Sequence, residues 1–133
     1  MQYVAQQHEL GCFIAAAAMV LDLTYEQVAL TVPLQEASII EQTGINFLGL
    51  LALDRIEALA LAQGMQVVDL NPPFAVQVGL RYLAMIPSAN PDINHALAVD
   101  ETGIAFNPDP RYEHVRKLWS EYIVLGLLEF RPL

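Results

Sequence analysis

From Cys12 to Leu21 the chain reads Cys-Phe-Ile-Ala-Ala-Ala-Ala-Met-Val-Leu, a run without a polar position. Its alanines favour a helix, and a helix with no polar face must be buried on all sides. The pattern therefore predicts a buried central helix that begins just after Gly11. Thr24-Tyr25-Glu26-Gln27 has the Thr-x-x-Gln form of a capping box, which opens a second, short helix that Pro33 must end. Gln42-Thr43-Gly44 reads as a turn and Asn46 as an N-cap. The segment from Phe47 to Gln63 reads as a long amphipathic helix, closed by Gly64 at the C′ position.

After Gly64 the pattern changes. Met65 to Leu70, Tyr82 to Ile86, His95 to Val99, Ile104 to Phe106 and Tyr122 to Phe130 are short apolar or β-branched runs separated by turn residues, the pattern of strands. Asp100-Glu101-Thr102-Gly103 forms a four-residue hairpin loop, with glycine available for a positive φ. One helix, from Arg111 to Leu118, is expected to interrupt this half. The fold class is α+β, with helices first and an antiparallel sheet after, in a single domain over residues 1–133.

Composition narrows the picture. Hydrophobic residues make up 55% and charged residues 16% of the chain, which excludes disorder. Six Lys plus Arg stand against fifteen Asp plus Glu, a net charge of −9, and no basic run is longer than Arg116-Lys117. This balance argues against nucleic acid as a partner and against an anionic membrane. The apolar stretch from Leu10 to Leu21 spans about 12 residues, short of the roughly 20 that cross a bilayer. The residues before it contain no Lys or Arg, whereas a secretory signal has a positive start. Cys12 is the one cysteine, so no internal disulfide forms, and a cytoplasmic location without membrane insertion is expected.

Cys12 is also the strongest nucleophile type in the chain, and the helix reading puts it in the first helical turn. There the helix dipole favours a thiolate, whose pKa falls from about 8.5 into the range of roughly 3.5 to 7.5 at such positions. A free cysteine beside Phe13 and Ile14 also has a plain reading as a small buried hydrophobe. His95 opens a strand directly after the polar loop of residues 88–94, at a sheet end where clefts form. Folding the hairpin back brings Asn107-Pro108 across from it, so that the Asn107 amide can orient the imidazole. Taken singly, His95 is an ordinary strand-end histidine and Asn107 a turn former. Gln6 precedes Cys12 in the entering loop and is placed to donate to an oxyanion together with the Cys12 main-chain N–H. Gln7 is its neighbour and alternative, and Asp109-Pro110 offers a second orienter.

Gln6-x5-Cys12 running into a small-residue helix, two further helices ending at Gly64, a strand begun by His95, and a hairpin closed by Asn107-Pro108 together resemble a papain-like cysteine peptidase. Among these the chain is most similar to the bacteriocin-processing peptidases that cleave after double-glycine leaders. The resemblance covers nearly the whole chain. It implies Cys12 as nucleophile, His95 as general base and acid, Asn107 as orienter and Gln6 as oxyanion donor, acting on a peptide or protein substrate without a cofactor. Two positions depart from that subgroup. Phe13 stands where glycine usually follows the cysteine, and Asn107-Pro108 stands where Asp-Pro is common.

Other chemistries remain open at this point. A zinc site would draw on Cys12, His8, His95, His114 and an acidic residue. However, the predicted helix begins between His8 and Cys12, and no second pair has metal spacing. The same fold also serves as a peptide-binding module without activity. A thioester on Cys12 can be released by an amine as well as by water, which makes acyl or peptidyl transfer a further alternative.

Overall fold

The computed structural model describes residues 1–8, 11–32, 51–89 and 93–133. Three helices come first in these residues, α1 (Cys12–Leu21), α2 (Tyr25–Thr31) and α3 (Leu51–Ala62). Six strands follow, β1 (Met65–Leu70), β2 (Arg81–Pro87), β3 (Asn94–Val99), β4 (Ile104–Phe106), β5 (Arg116–Leu118) and β6 (Gly126–Pro132). They form one sheet in the order β1-β6-β2-β3-β4-β5, and every neighbouring pair is antiparallel. The α+β expectation holds. Pro33, the turn at 42–44 and residues 46–50 of the expected third helix lie outside the described residues.

The all-apolar helix is buried as its composition requires: every residue of α1 is buried. It packs on β3, with α2, β2 and α3 as further neighbours. Alternation along the strands sends Leu83, Met85, Ala96, Ala98, Leu128 and Phe130 into the core that contains α1. Tyr82, Ala84, Ile86, Leu97, Val99 and Leu127 face the other way, where Phe74, Val76, Trp119, Tyr122 and Val124 cover them. Both faces of β2 and β3 are thus dry, which is why these strands read as continuous apolar runs. No single helix among the described residues is long and apolar enough to cross a membrane.

The ends of the elements follow local chemistry. In α2 the Gln27 N–H donates to Thr24 Oγ1 (3.1 Å) and the Thr24 N–H donates to Gln27 Oε1 (2.8 Å), completing the capping box. Gly64, at φ +75°, turns the chain from α3 into β1. In the β3–β4 loop, Asp100 Oδ1 accepts from the N–H groups of Thr102 and Ile104 (2.9 and 3.0 Å). At the far end of α1, Arg81 donates to the Val20 carbonyl (3.1 Å) and pairs with Asp22 (2.8 Å) and with Glu101. A cation at this point answers both the open carbonyls and the negative end of the helix dipole.

Two expectations are corrected. Arg111 to Leu118 is not a helix: residues Pro110–Tyr112 make a single 3-10 turn and Arg116–Leu118 form β5. The physical reason is the open edge of β4, to which β5 pairs with Ile104 opposite Leu118 and Phe106 opposite Arg116. Main-chain bonding to that edge prevails over the weak helical spacing of Val115 and Leu118. The last strand also begins later than expected, at Gly126 rather than Tyr122, and runs to Pro132. Tyr122 and Val124 are apolar because they cover the sheet and not because they belong to it.

Gly11 sits under Tyr25. A Cβ added at Gly11 would lie 2.4 Å from Tyr25 Oη and 3.2 Å from the His8 carbonyl oxygen. Gly11→Ala should therefore cost about 1 to 3 kcal/mol in urea unfolding, the range for forced overpacking. Adding Tyr25→Phe, which removes the nearest atom, should recover part of that loss.

Candidate functional site

The N-terminal segment is strapped across the start of the 107–112 loop. Tyr3 Oη donates to the Asn107 carbonyl (2.7 Å), and the Gln6 N–H donates to the Pro108 carbonyl (2.8 Å). Arg116 reinforces the strap from the sheet edge, its guanidinium 5.5 Å from the Tyr3 ring centre and 4.2 Å from that of Phe106. This path delivers Gln6 to a cleft of about 410 Å³ that is also lined by His95, Asn107, Asp109, Arg111, Tyr112 and the apolar wall of Ile86, Pro87 and Ile93. Gln7 is exposed and donates to Glu26 on α2 (2.7 Å), so of the two glutamines Gln6 faces the cleft. The Gln6 side-chain amide donates to the His8 carbonyl (3.1 Å).

His95 Nε2 lies 2.7 Å from Asn107 Oδ1, and the Asp109 N–H donates to that same oxygen (3.0 Å). An amide oxygen only accepts, so the pair of contacts sets the imidazole proton on Nε2 and leaves Nδ1 as the basic nitrogen of the neutral ring. Asp109 does not take the orienting position. Its carboxylate accepts instead from Arg111, at 3.0 Å from the main-chain N–H and 2.7 Å from Nη2.

Cys12 begins α1, whose first main-chain bond runs from the Ala15 N–H to the Gly11 carbonyl (3.1 Å). The Ala96 N–H, next along β3 from His95, donates to Cys12 Sγ (3.4 Å). The sulfur is thereby tied to the main chain of the strand that carries the imidazole. Cys12 itself is only 3% exposed and is not among the residues lining the cleft. His8 and His114 take no part: His8 Nδ1 is 3.1 Å from Tyr25 Oη, and His114 is exposed beside Glu113. Among the described residues no group of three or more His, Cys, Asp or Glu is arranged to hold a metal ion. Sequence reasoning missed Tyr3, Arg111 and Arg116. An aromatic residue before the cysteine, and two arginines after the expected orienter, were the only signals available.

No family model matches the chain, and no curated protein matches it by sequence. Among solved structures it is similar to a double glycine motif protease from an AMS/PCAT transporter, determined in complex with its leader peptide. The identity is 18% and the TM-score 0.47, over 99% of this chain and 91% of that one. At that level the residues of the cleft, and not the likeness, have to carry any functional reading.

Burial holds the His95 imidazole below its usual value of 6.5, while the Asn107 bond and the Asp109 carboxylate pull it upward and Arg111 pulls it down with the burial. The unfolded chain therefore takes a proton near pH 6.5 that the native ring resists. Folding stability from this group is complete above pH 6.5 and falls as the pH drops from there toward the lower native value. Urea unfolding at pH 7.5 and pH 5.5 should show that loss in the wild type and a smaller loss in His95→Gln.

Proposed function

We propose that the chain is a cysteine peptidase of papain-like fold, with Cys12 as nucleophile, His95 as general base and acid, Asn107 as orienter and Gln6 as oxyanion donor. The observation that carries the reading is the pair of contacts at the start of β3. The His95 ring bonds to Asn107 while the very next N–H of that strand bonds to the Cys12 sulfur. It adds to a resemblance that rests on all four residues in one chain order.

In this reading His95 Nδ1, the basic atom of the ring, takes the proton of the Cys12 thiol. The helix N-terminus and the Ala96 N–H both favour the resulting thiolate. The sulfur attacks a peptide carbonyl carbon, and the carbonyl π electrons pass to oxygen. The Gln6 side-chain amide and the Cys12 main-chain N–H hold that oxyanion. The C–N bond then breaks as the imidazolium returns its proton to the leaving amine, and a thioester remains on Cys12. Water, deprotonated by the same ring, releases the acid and restores the thiol. Asn107 keeps Nε2–H occupied throughout, so that only Nδ1 exchanges protons.

One observation favours a second reading. With Cys12 almost fully buried and outside the cleft lining, a module that binds peptides beside His95 without cleaving them is the alternative. The pH profile of Cys12 alkylation separates the two. On the peptidase reading iodoacetamide modifies Cys12 well below pH 7, at a rate that holds a plateau, and His95→Ala abolishes this while the protein stays folded. A monotonic rise with a midpoint near about 8.5 in both proteins marks an inert thiol and leaves the binding module.

A second expected outcome concerns the oxyanion. Losing one donor to it typically costs about 2.7 to 4 kcal/mol of barrier, so Gln6→Ala should lower kcat roughly 100- to 1000-fold on a peptide substrate and leave KM nearly unchanged.

A further inference from the structure

The geometry points to Asp109 as a positioning residue for the His95 ring: its main-chain N–H selects the oxygen of the Asn107 amide as the imidazole's partner, and its carboxylate, clamped by Arg111, lines the same cleft as the ring. The inference deepens the peptidase reading and rests on it for the consequence in catalysis. The titration of His95 itself is a property of the folded chain in either case.

An asparagine amide has two dissimilar ends, and a half-turn of the group would present its NH2 to the ring in place of its oxygen. The Asp109 N–H, 3.0 Å from Asn107 Oδ1, makes the first arrangement the bonded one. Asp109 is poorly free to move away. It lies between Pro108 and Pro110, whose rings set their own φ and hold the preceding residue extended, and Asp109 is extended at φ −67°, ψ 117°. Its carboxylate caps the 3-10 turn through the Arg111 N–H (3.0 Å) and takes Nε (3.1 Å) and Nη2 (2.7 Å) of the same arginine. The Asp109 side chain is 15% exposed and that of Arg111 is 78% exposed, so the carboxylate is the sheltered partner in the cleft wall. Arg111 also keeps that carboxylate ionised, holding it below its ordinary range.

Among the described residues few charges compete for the ring. The strap presents neutral Gln6, β2 presents Ile86 directly across from His95, and α1 presents Cys12 near the next residue of the strand. Asp109 and Arg111 are the charged groups lining the same cleft, and they act on His95 with opposite sign. A purely structural clamp has no such property. Breaking it from either side would loosen the loop in the same way, whereas an electrostatic partner pair must move the ring in two directions.

The test is an NMR titration of the His95 ring resonance in the full chain, assigned by its absence in His95→Ala. It is run on the wild type, Asp109→Asn, Asp109→Glu and Arg111→Gln, with Cys12 alkylation profiles on the same proteins. Asp109→Asn keeps the main-chain N–H and removes the charge, so the His95 midpoint should fall. Arg111→Gln should raise it, and Asp109→Glu should return it toward the wild type. Arg111 is largely exposed, so its variant provides the readout even where Asp109→Asn fails to fold. Midpoints that stay in place, or that move in the same direction in Asp109→Asn and Arg111→Gln, overturn the inference. If Cys12 is inert in the wild type while the two midpoints diverge, the peptidase reading falls and the role of Asp109 stands. A reactive Cys12 with unmoved midpoints gives the reverse.

Discussion

An α-helix with no polar side chain has no face to offer water, and in this protein α1 is such a helix. It can exist only if the rest of the chain surrounds it. Its alanines make that surrounding close, since Ala15 to Ala18 let the helix approach a strand that itself presents Ala96 and Ala98. Side chains of that size set the separation by main-chain contact and leave little room for larger substitutions. What such burial cannot remove is the polarity of the two helix ends. Arg81 answers the carbonyl end, bringing Asp22 and Glu101 with it. The amino end opens at Cys12, whose sulfur is met by an N–H of β3. The constraint that organises the core therefore also decides where the only thiol of the chain must lie.

The same reasoning explains what was legible in the sequence. Local chemistry with short reach could be read directly: the Thr24–Gln27 box, the Gly64 turn and the Asp100–Gly103 loop all depend on residues a few positions apart. The apolar strands were legible because burial on both faces leaves continuous runs. The segment from Arg111 to Leu118 was not, since its structure is decided by the free edge of β4 and not by its own periodicity. Residues 122 to 125 misled for a related reason, as apolar side chains that cover a sheet look like those that build one. At the site, the contact of Asn107 with His95 was anticipated from the hairpin, yet the register alone does not yield it. From the pair Ala98 and Phe106, three further steps would set Asp109 opposite His95. Pro108 lacks the N–H to continue the ladder, the chain leaves the sheet, and Asn107 reaches the ring by its side chain.

In a chain of net charge −9, the few cations are placed with economy. Arg55 donates to the Thr31 carbonyl at the end of α2, Arg81 closes α1, and Arg131 holds the buried Glu129. Arg116 lies over Tyr3 and Phe106, Lys117 over Tyr122, and Arg111 binds Asp109. Arg55, Arg81 and Arg116 each join segments far apart along the chain, whereas Arg111 and Arg131 pair with carboxylates two residues away. Tyr82 and Glu129, facing each other across β2 and β6, show the cost of polarity inside the sheet. The phenol is pushed up to about 12, first by burial and then by the carboxylate that accepts its proton at 2.6 Å. Satisfied in this way, the pair stays buried beneath the loops without an orphaned charge.

The cleft obeys a different rule from the core. A desolvated imidazole resists the proton that acid–base chemistry would ask it to carry, so a useful ring needs polar partners that favour its charged form without themselves taking up protons near neutrality. Asn107 meets that requirement through an amide that does not titrate. Asp109 meets it through a carboxylate that Arg111 keeps ionised. Both belong to a loop held by the Tyr3 and Gln6 strap and by the 3-10 turn; Tyr3 also packs against the core around α1, whereas Gln6, Asn107 and Asp109 line the cleft. The consequence is a separation of roles along the chain. The alanine helix and the inner strands, with Tyr3 and Val4 packed against them, form the core, while Gln6 and residues 107–111 lie around His95. Change in the second group reaches the chemistry of the cleft before it reaches the fold.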